Sequence, residues 1–134
     1  MKPLSIFTFC VLMALNGFSQ EKPQTIDTSL EKTFVKVEIE SSFPGGVAGW
    51  AAYLNENLHY PKAAIKKNIQ GTVVVQFIVD KEGNITDIAA IAGPDELRAE
   101  AERVMKKSPK WIPAQQSGRK VKSYKKQPIT FRLQ

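Results

Sequence analysis

One histidine, His59, and one cysteine, Cys10, are the only side chains of their kinds in this 134-residue chain. A zinc site built on His59 would need three carboxylates around it, and none stands at a recognisable ligand spacing. His59, beside Tyr60 at a helix end, reads as a structural or surface residue. Ser41, Ser42 and Ser117 have no base near them in sequence, so no nucleophile–base pair is legible. The acids Asp80, Glu82, Asp87 and Asp95 fall in turns or on solvated faces, not in an apolar pocket that would raise a carboxyl pKa for acid–base work. Glu96, Glu100 and Arg103 recur at intervals of four and three, the spacing of surface ion pairs on a helix. Gly45-Gly46 precedes a helix but lacks the Lys and Ser/Thr of a phosphate loop. The expectation is no catalytic residue, no metal and no cofactor, hence a binding module and not an enzyme.

The first residues bound the setting. Met1-Lys2-Pro3 gives a positive start, Leu4 to Leu15 is an apolar run broken by Ser5 and Thr8, and Gly17 and Ser19 are small residues before Gln20. This is the layout of a secretory signal peptide over residues 1–19, and the run is shorter than the ~20 residues that a membrane helix needs. An uncleaved signal would instead leave the chain anchored. Cys10 lies inside the run, so cleavage leaves neither a disulfide nor a thiolate metal site. The net charge is +6 and falls to +5 with the loss of Lys2. Residues 106–134 carry nine Lys and Arg and no acid, which suggests an anionic partner (an acidic peptide, a membrane surface or a cell-wall polymer) or a solvated face. Nucleic acid is a poor partner for an exported chain.

The elements that would position a site are read from periodicity. Residues 20–42 form a leader, polar to Glu31, with an extended piece at Thr33–Ile39. The domain follows over residues 43–134, opening with the turn Phe43-Pro44-Gly45-Gly46. Val47, Trp50, Ala51, Leu54 and Leu58 predict one buried face of a helix. Tyr60-Pro61 ends it and starts a second, short helix in which Ala63, Ala64 and Ile65 could pack inward. Gly71 opens a strand with Val73, Val75, Phe77 and Val79 on its core face. Asp80–Gly83 is a hairpin loop, and Ile85–Ala92 returns with a bulge near Asp87. Gly93-Pro94-Asp95-Glu96 starts a helix that buries Leu97, Ala101, Val104 and Met105. Ser117-Gly118-Arg119 is a turn, and Ile129, Phe131 and Leu133 alternate in a last strand with Pro128 at its start, which suits an edge. The sum is an α+β domain: a three-stranded antiparallel sheet with helices packed on one face.

Such a sheet can take an extended peptide as an added strand along its C-terminal edge. The lysines of Lys120–Lys126 would flank that edge, either to steer an acidic peptide or to prevent edge-to-edge aggregation. Tyr60-Pro61, Gly71-Thr72-Val73, Phe77-Ile78-Val79, Gly83-Asn84-Ile85, Pro109-Lys110-Trp111, Pro113 and Pro128-Ile129-Thr130-Phe131 stand in an order that resembles the TonB C-terminal domain. Phe43-Pro44-Gly45-Gly46 and the Trp50 helix resemble its versions in Bacteroidetes-type bacteria.

The resemblance implies a periplasmic domain that grips the TonB box of an outer-membrane receptor by β-augmentation. It implies partner-binding residues at His59, Tyr60 and Pro61, and at Lys126, Gln127, Ile129, Thr130, Phe131, Arg132 and Leu133. It further implies an ExbB–ExbD-type motor if the N-terminus stays anchored; the same edge could also join two copies as a homodimer. His59 stands where TonB often has Gln, and Ala114 where Gly is usual. About 25 residues, reaching ~80–90 Å when extended, separate Ser19 from Phe43, without a Pro-rich spacer. The alternative reading is a non-energised module that holds peptidoglycan or another anionic envelope surface.

Overall fold

A strand with a wholly apolar face must have that face covered, and Gly71–Val79 is the strand around which this domain is built. A computed structural model describes residues 32–134; the signal expectation and the leader up to Glu31 lie outside the described residues. In chain order the elements are β1 (Thr33–Phe34), α1 (Gly46–Asn57), α2 (Lys62–Lys66), β2 (Gly71–Val79), β3 (Ile85–Ala92), α3 (Asp95–Lys106), β4 (Ala114–Gln116) and β5 (Arg119–Phe131). Val73, Val75, Phe77 and Val79 are fully buried, as their alternation predicts. The α3 residues Leu97, Ala101, Val104 and Met105 are buried in the same core.

The three long strands form the expected antiparallel sheet in the order β5–β2–β3. Two short strands enlarge it. β1 pairs in parallel with Lys122 and Ser123 of β5, and β4 pairs antiparallel with Arg119–Val121. Ser117 and Gly118, both at positive φ, make the two-residue turn from β4 into β5. The bulge in β3 falls where expected: Asp87 has φ 53°, and the β2–β3 register shifts opposite Gln76–Ile78. β5 is longer than the sequence suggests. It begins at Arg119, so Pro128 lies inside it and Lys120–Lys126 belong to the strand itself.

The helices dock differently in detail from the periodic reading. Val47 is 87% exposed and Ala51 is exposed; Trp50, Tyr53, Leu54 and Leu58 pack on the core instead. Aromatic geometry sets that rotation. Phe43 is buried between Trp50 (ring centroids 5.2 Å), Tyr53 (5.4 Å) and Trp111 (5.5 Å), and Trp111 packs edge-on to Phe77 at 5.0 Å. The Tyr53 hydroxyl donates to the Val104 carbonyl at 2.8 Å and joins α1 to α3. In α2 only Ala64 is buried, while Ala63 and Ile65 face solvent, because one turn of helix has one inward position.

The β2–β3 hairpin is pinned to the segment after α3. The Asp80 carboxylate accepts the Glu82 and Asn84 amides at 2.9 and 2.8 Å, and the Trp111 amide donates to the Gly83 carbonyl at 2.9 Å. Gly83 has φ 90°, and a Cβ there would lie 2.1 Å from the Trp111 carbonyl oxygen. Gly83→Ala is therefore expected to destabilise the domain by at least about 2 kcal/mol, from backbone strain and the forced retreat of Trp111. Urea unfolding with tryptophan fluorescence checks this.

Candidate functional site

The site is built on the outer edge of β5. Antiparallel pairs alternate between hydrogen-bonded and non-hydrogen-bonded, and the side chains of the second kind lie closer together. Thr72 and Thr130 are such a close pair, with their hydroxyls 3.0 Å apart. Counting along the unbroken β2–β5 register, Val74–Pro128, Gln76–Lys126 and Ile78–Tyr124 are of the same kind. The backbone groups of Tyr124, Lys126, Pro128 and Thr130 thus point away from β2. Pro128 agrees with this assignment, since it has no amide to give to β2. Beyond the two residues paired with β1, no strand of the described residues covers this edge. It presents two open amides, at Lys126 and Thr130, with a gap at Pro128; the outward Tyr124 amide is taken up by Phe34, because a parallel partner of Ser123 bonds to the residues on either side of it.

A groove flanks each end of the edge. One, of about 590 Å³, lies between β5 at Ser123–Lys126 and the arm formed by Val35–Ser41. The arm is fastened by backbone bridges, Ile39 to Gln115 and Ser42 to Ile112, and by Glu38, whose carboxylate accepts the Ser117 amide at 2.8 Å. At the other end a groove of about 370 Å³ is lined by Leu58, Tyr60 and Thr130–Arg132, and a second of about 380 Å³ by Gln70–Thr72 and Thr130–Leu133.

The residues expected at the site divide by strand parity. Lys126, Thr130 and Arg132 have exposed side chains on or beside the edge. Ile129 and Phe131 are buried in the core, and Gln127 is half-buried on the same inner face. Leu133 follows the strand, with its amide donating to the Gln70 side chain at 2.7 Å. Tyr60 stands edge-on to Phe131 with ring centroids 5.6 Å apart, and its hydroxyl donates to the Ile69 carbonyl. Pro61 caps α2 next to it, and the His59 side chain is exposed. Two features are not visible in the residue pattern. The arm forms a wall of the larger groove, for which the alternation over Thr33–Ile39 signals only an extended piece. Tyr124, in a stretch without apolar period, reaches the same groove.

Glu100 also differs from its expected role as half of a surface ion pair. Its side chain is 10% exposed and pairs with Arg103 through two hydrogen bonds of 2.8 and 2.7 Å. It also accepts the His59 amide at 2.7 Å, while Arg103 donates to the Asn57 carbonyl at 2.7 Å. The pair thus clamps the link between α1 and Tyr60-Pro61 onto α3. Burial pushes the Glu100 carboxyl up, but hydrogen bonds from Arg103 and the His59 amide, with the nearby positive charge, outweigh it and hold the carboxyl below its ordinary range. Arg103 is held above its ordinary value, chiefly by its hydrogen bonds to Glu100.

Among the described residues, no group of three or more His, Cys, Asp or Glu is placed to hold a metal ion, and no helix is long and apolar enough to cross a membrane. Fold and edge together define a small α+β domain of the open-edge kind, with three helices on a mixed sheet. The family model for the Gram-negative bacterial TonB protein C-terminal matches residues 56–133, more than half of the chain, and the chain belongs to that family. The family is a transport-related one of the Gram-negative envelope. The arm, Phe43 and most of α1 precede the matched segment. No curated protein matches the chain.

A carboxyl whose folded-state pKa is depressed contributes stability above its unfolded value, about 4.3 for Glu, and loses it as pH falls through the lowered folded value. Glu100→Gln is therefore expected to cost about 1–3 kcal/mol at pH 7, tempered by the half-exposed Arg103. The gap between wild type and variant should narrow as the pH drops below about 4. Urea midpoints of both proteins at pH 7 and pH 3 check the sign.

Proposed function

We propose that this domain works in the periplasm, capturing the TonB-box segment of an outer-membrane receptor as an added strand on β5. The carrying observation is the outward amides at Lys126 and Thr130, on the part of β5 that no strand of the described residues covers, framed by a groove at each end. An incoming segment satisfies those amides with its own carbonyls, and the grooves receive its side chains. Ile129 and Phe131 act from beneath: their side chains lie in the core and their backbones bond to β2, which fixes the strand and leaves the backbones of Lys126 and Thr130 facing out. Tyr60, set against Phe131, forms the wall at the far end.

The membership in a TonB family supports placing this capture in TonB-dependent transport. With residues 1–19 cleaved as a signal, the domain is a peptide-binding adaptor. Held instead by an uncleaved N-terminus, it would couple to an ExbB–ExbD-type motor and pass on force. A second copy adding its own edge would give a homodimer through the same amides and would compete with the receptor segment.

Titrating a TonB-box peptide into the isotope-labelled full chain is expected to move the amide signals of residues 124–131 in a saturable way. No movement there at millimolar peptide would remove the proposal. Pro128→Ala adds a third open amide, between those of Lys126 and Thr130. It is expected to tighten peptide binding about two- to tenfold, the worth of one net hydrogen bond, measured by the same titration.

A further inference from the structure

The groove at the Ser123–Lys126 end of the edge holds more chemistry than strand addition uses. One wall is the arm, which lies upstream of the family-matched segment; the other is β5 with Gln76 of β2 at its side. Lys36, Lys125 and Lys126 line it, against a single acid, Glu40, which pairs with Lys125 at 3.3 Å. Lys36 and Lys126 are exposed and have no ion-pair partner among the described residues. The groove therefore carries two uncompensated positive charges. Ser41 and Ser123, 3% and 1% exposed, also line it, and neither hydroxyl has a hydrogen-bond partner among the described residues. A buried hydroxyl without a partner is unfavourable and rare. Rotation about χ1 moves a serine hydroxyl between staggered wells, so a polar group entering the groove can supply the missing partner.

Two cations without an ion-pair partner among the described residues, in one groove with two unpartnered hydroxyls, select for carboxylates. We propose that this groove is a subsite for acidic side chains carried at one end of the segment that adds to β5. The inference rests on the strand-addition reading and deepens it. The partner becomes an extended peptide with Asp or Glu at the Lys36–Lys126 end and an apolar residue at the Leu58–Tyr60 end. A peptide is favoured over a carboxylated glycan because the groove runs into the outward amide of Lys126 and the open edge beyond it, which call for a backbone ladder.

The test is a two-by-two comparison on the full chain. A TonB-box peptide with acidic residues at one end, and its version with Asn and Gln in their place, are each titrated into wild type and into the Lys36→Gln, Lys126→Gln double variant. The acidic peptide is expected to bind wild type about tenfold tighter at low salt. That advantage should collapse in the double variant, while both peptides still move the Thr130 amide of wild type. Equal affinity of the two peptides for wild type, with Thr130 still moving, overturns the subsite and leaves strand addition standing. Failure of both peptides to move β5 sinks strand addition, and the subsite with it. Polygalacturonate, a carboxylated glycan, serves as the third probe. If it shifts Tyr124 and Lys126 as strongly as the acidic peptide does, the peptide assignment is overturned.

Discussion

The register of β5 on β2 is the constraint on which the rest of the molecule depends. Ile129 and Phe131 drop into the core opposite Val73 and Gly71, and this fixes the parity of every residue back to Ser123. A slip by one residue would send Lys126 and Thr130 inward and expose Ile129 and Phe131, at the loss of two large buried side chains. The parity also decides what the edge can do. Odd residues bond to β2 and build the core face; even residues turn their backbones outward and their side chains to the uncovered face of the sheet. The same parity that holds the domain together leaves its edge available.

The two outer strands meet the danger of an unpaired edge in opposite ways. β3 is closed off: the Asp87 bulge disrupts its line, and the Glu102 side chain of α3 accepts the Ala90 amide at 2.9 Å. β5 is left open but guarded. Pro128 removes one donor, lysines charge the strand, and β1 covers only the Lys122–Tyr124 end. Edge lysines can discourage aggregation or attract an acidic strand, and an arm that stands off β5 to leave a groove favours the second use here.

Much of this fold is legible in the sequence because burial imposes a period. The alternation in β2, the four buried positions of α3 and the hairpin at Gly83 are each set by one apolar face or one turn geometry, and each appears in the structure where the pattern places it. The first half of β5 is not legible. Arg119–Lys126 has little apolar face to show, since its strand character comes from pairing with β2, β4 and β1, not from burial. The docking face of α1 is misread for a related reason. Val47 fits the helical period, yet the rotation of the helix is decided by Phe43 and Trp111, distant in sequence from each other. Of the site, the motif residues around Tyr60 and the last strand can be named in advance, but which of them face a partner depends on parity, and parity depends on register. The arm's part in the groove is tertiary and leaves no local trace.

Amide hydrogen exchange across β5 tests the account most directly, because it reads parity one residue at a time. In the free protein, the amides of Lys125, Gln127, Ile129 and Phe131 should be protected by β2 and that of Tyr124 by β1, while those of Lys126 and Thr130 exchange quickly. With a TonB-box peptide bound, those two should gain protection and the others change little. Equal protection of odd and even residues in the free protein, or protection gained elsewhere on the domain, would contradict the open edge on which the proposed function stands.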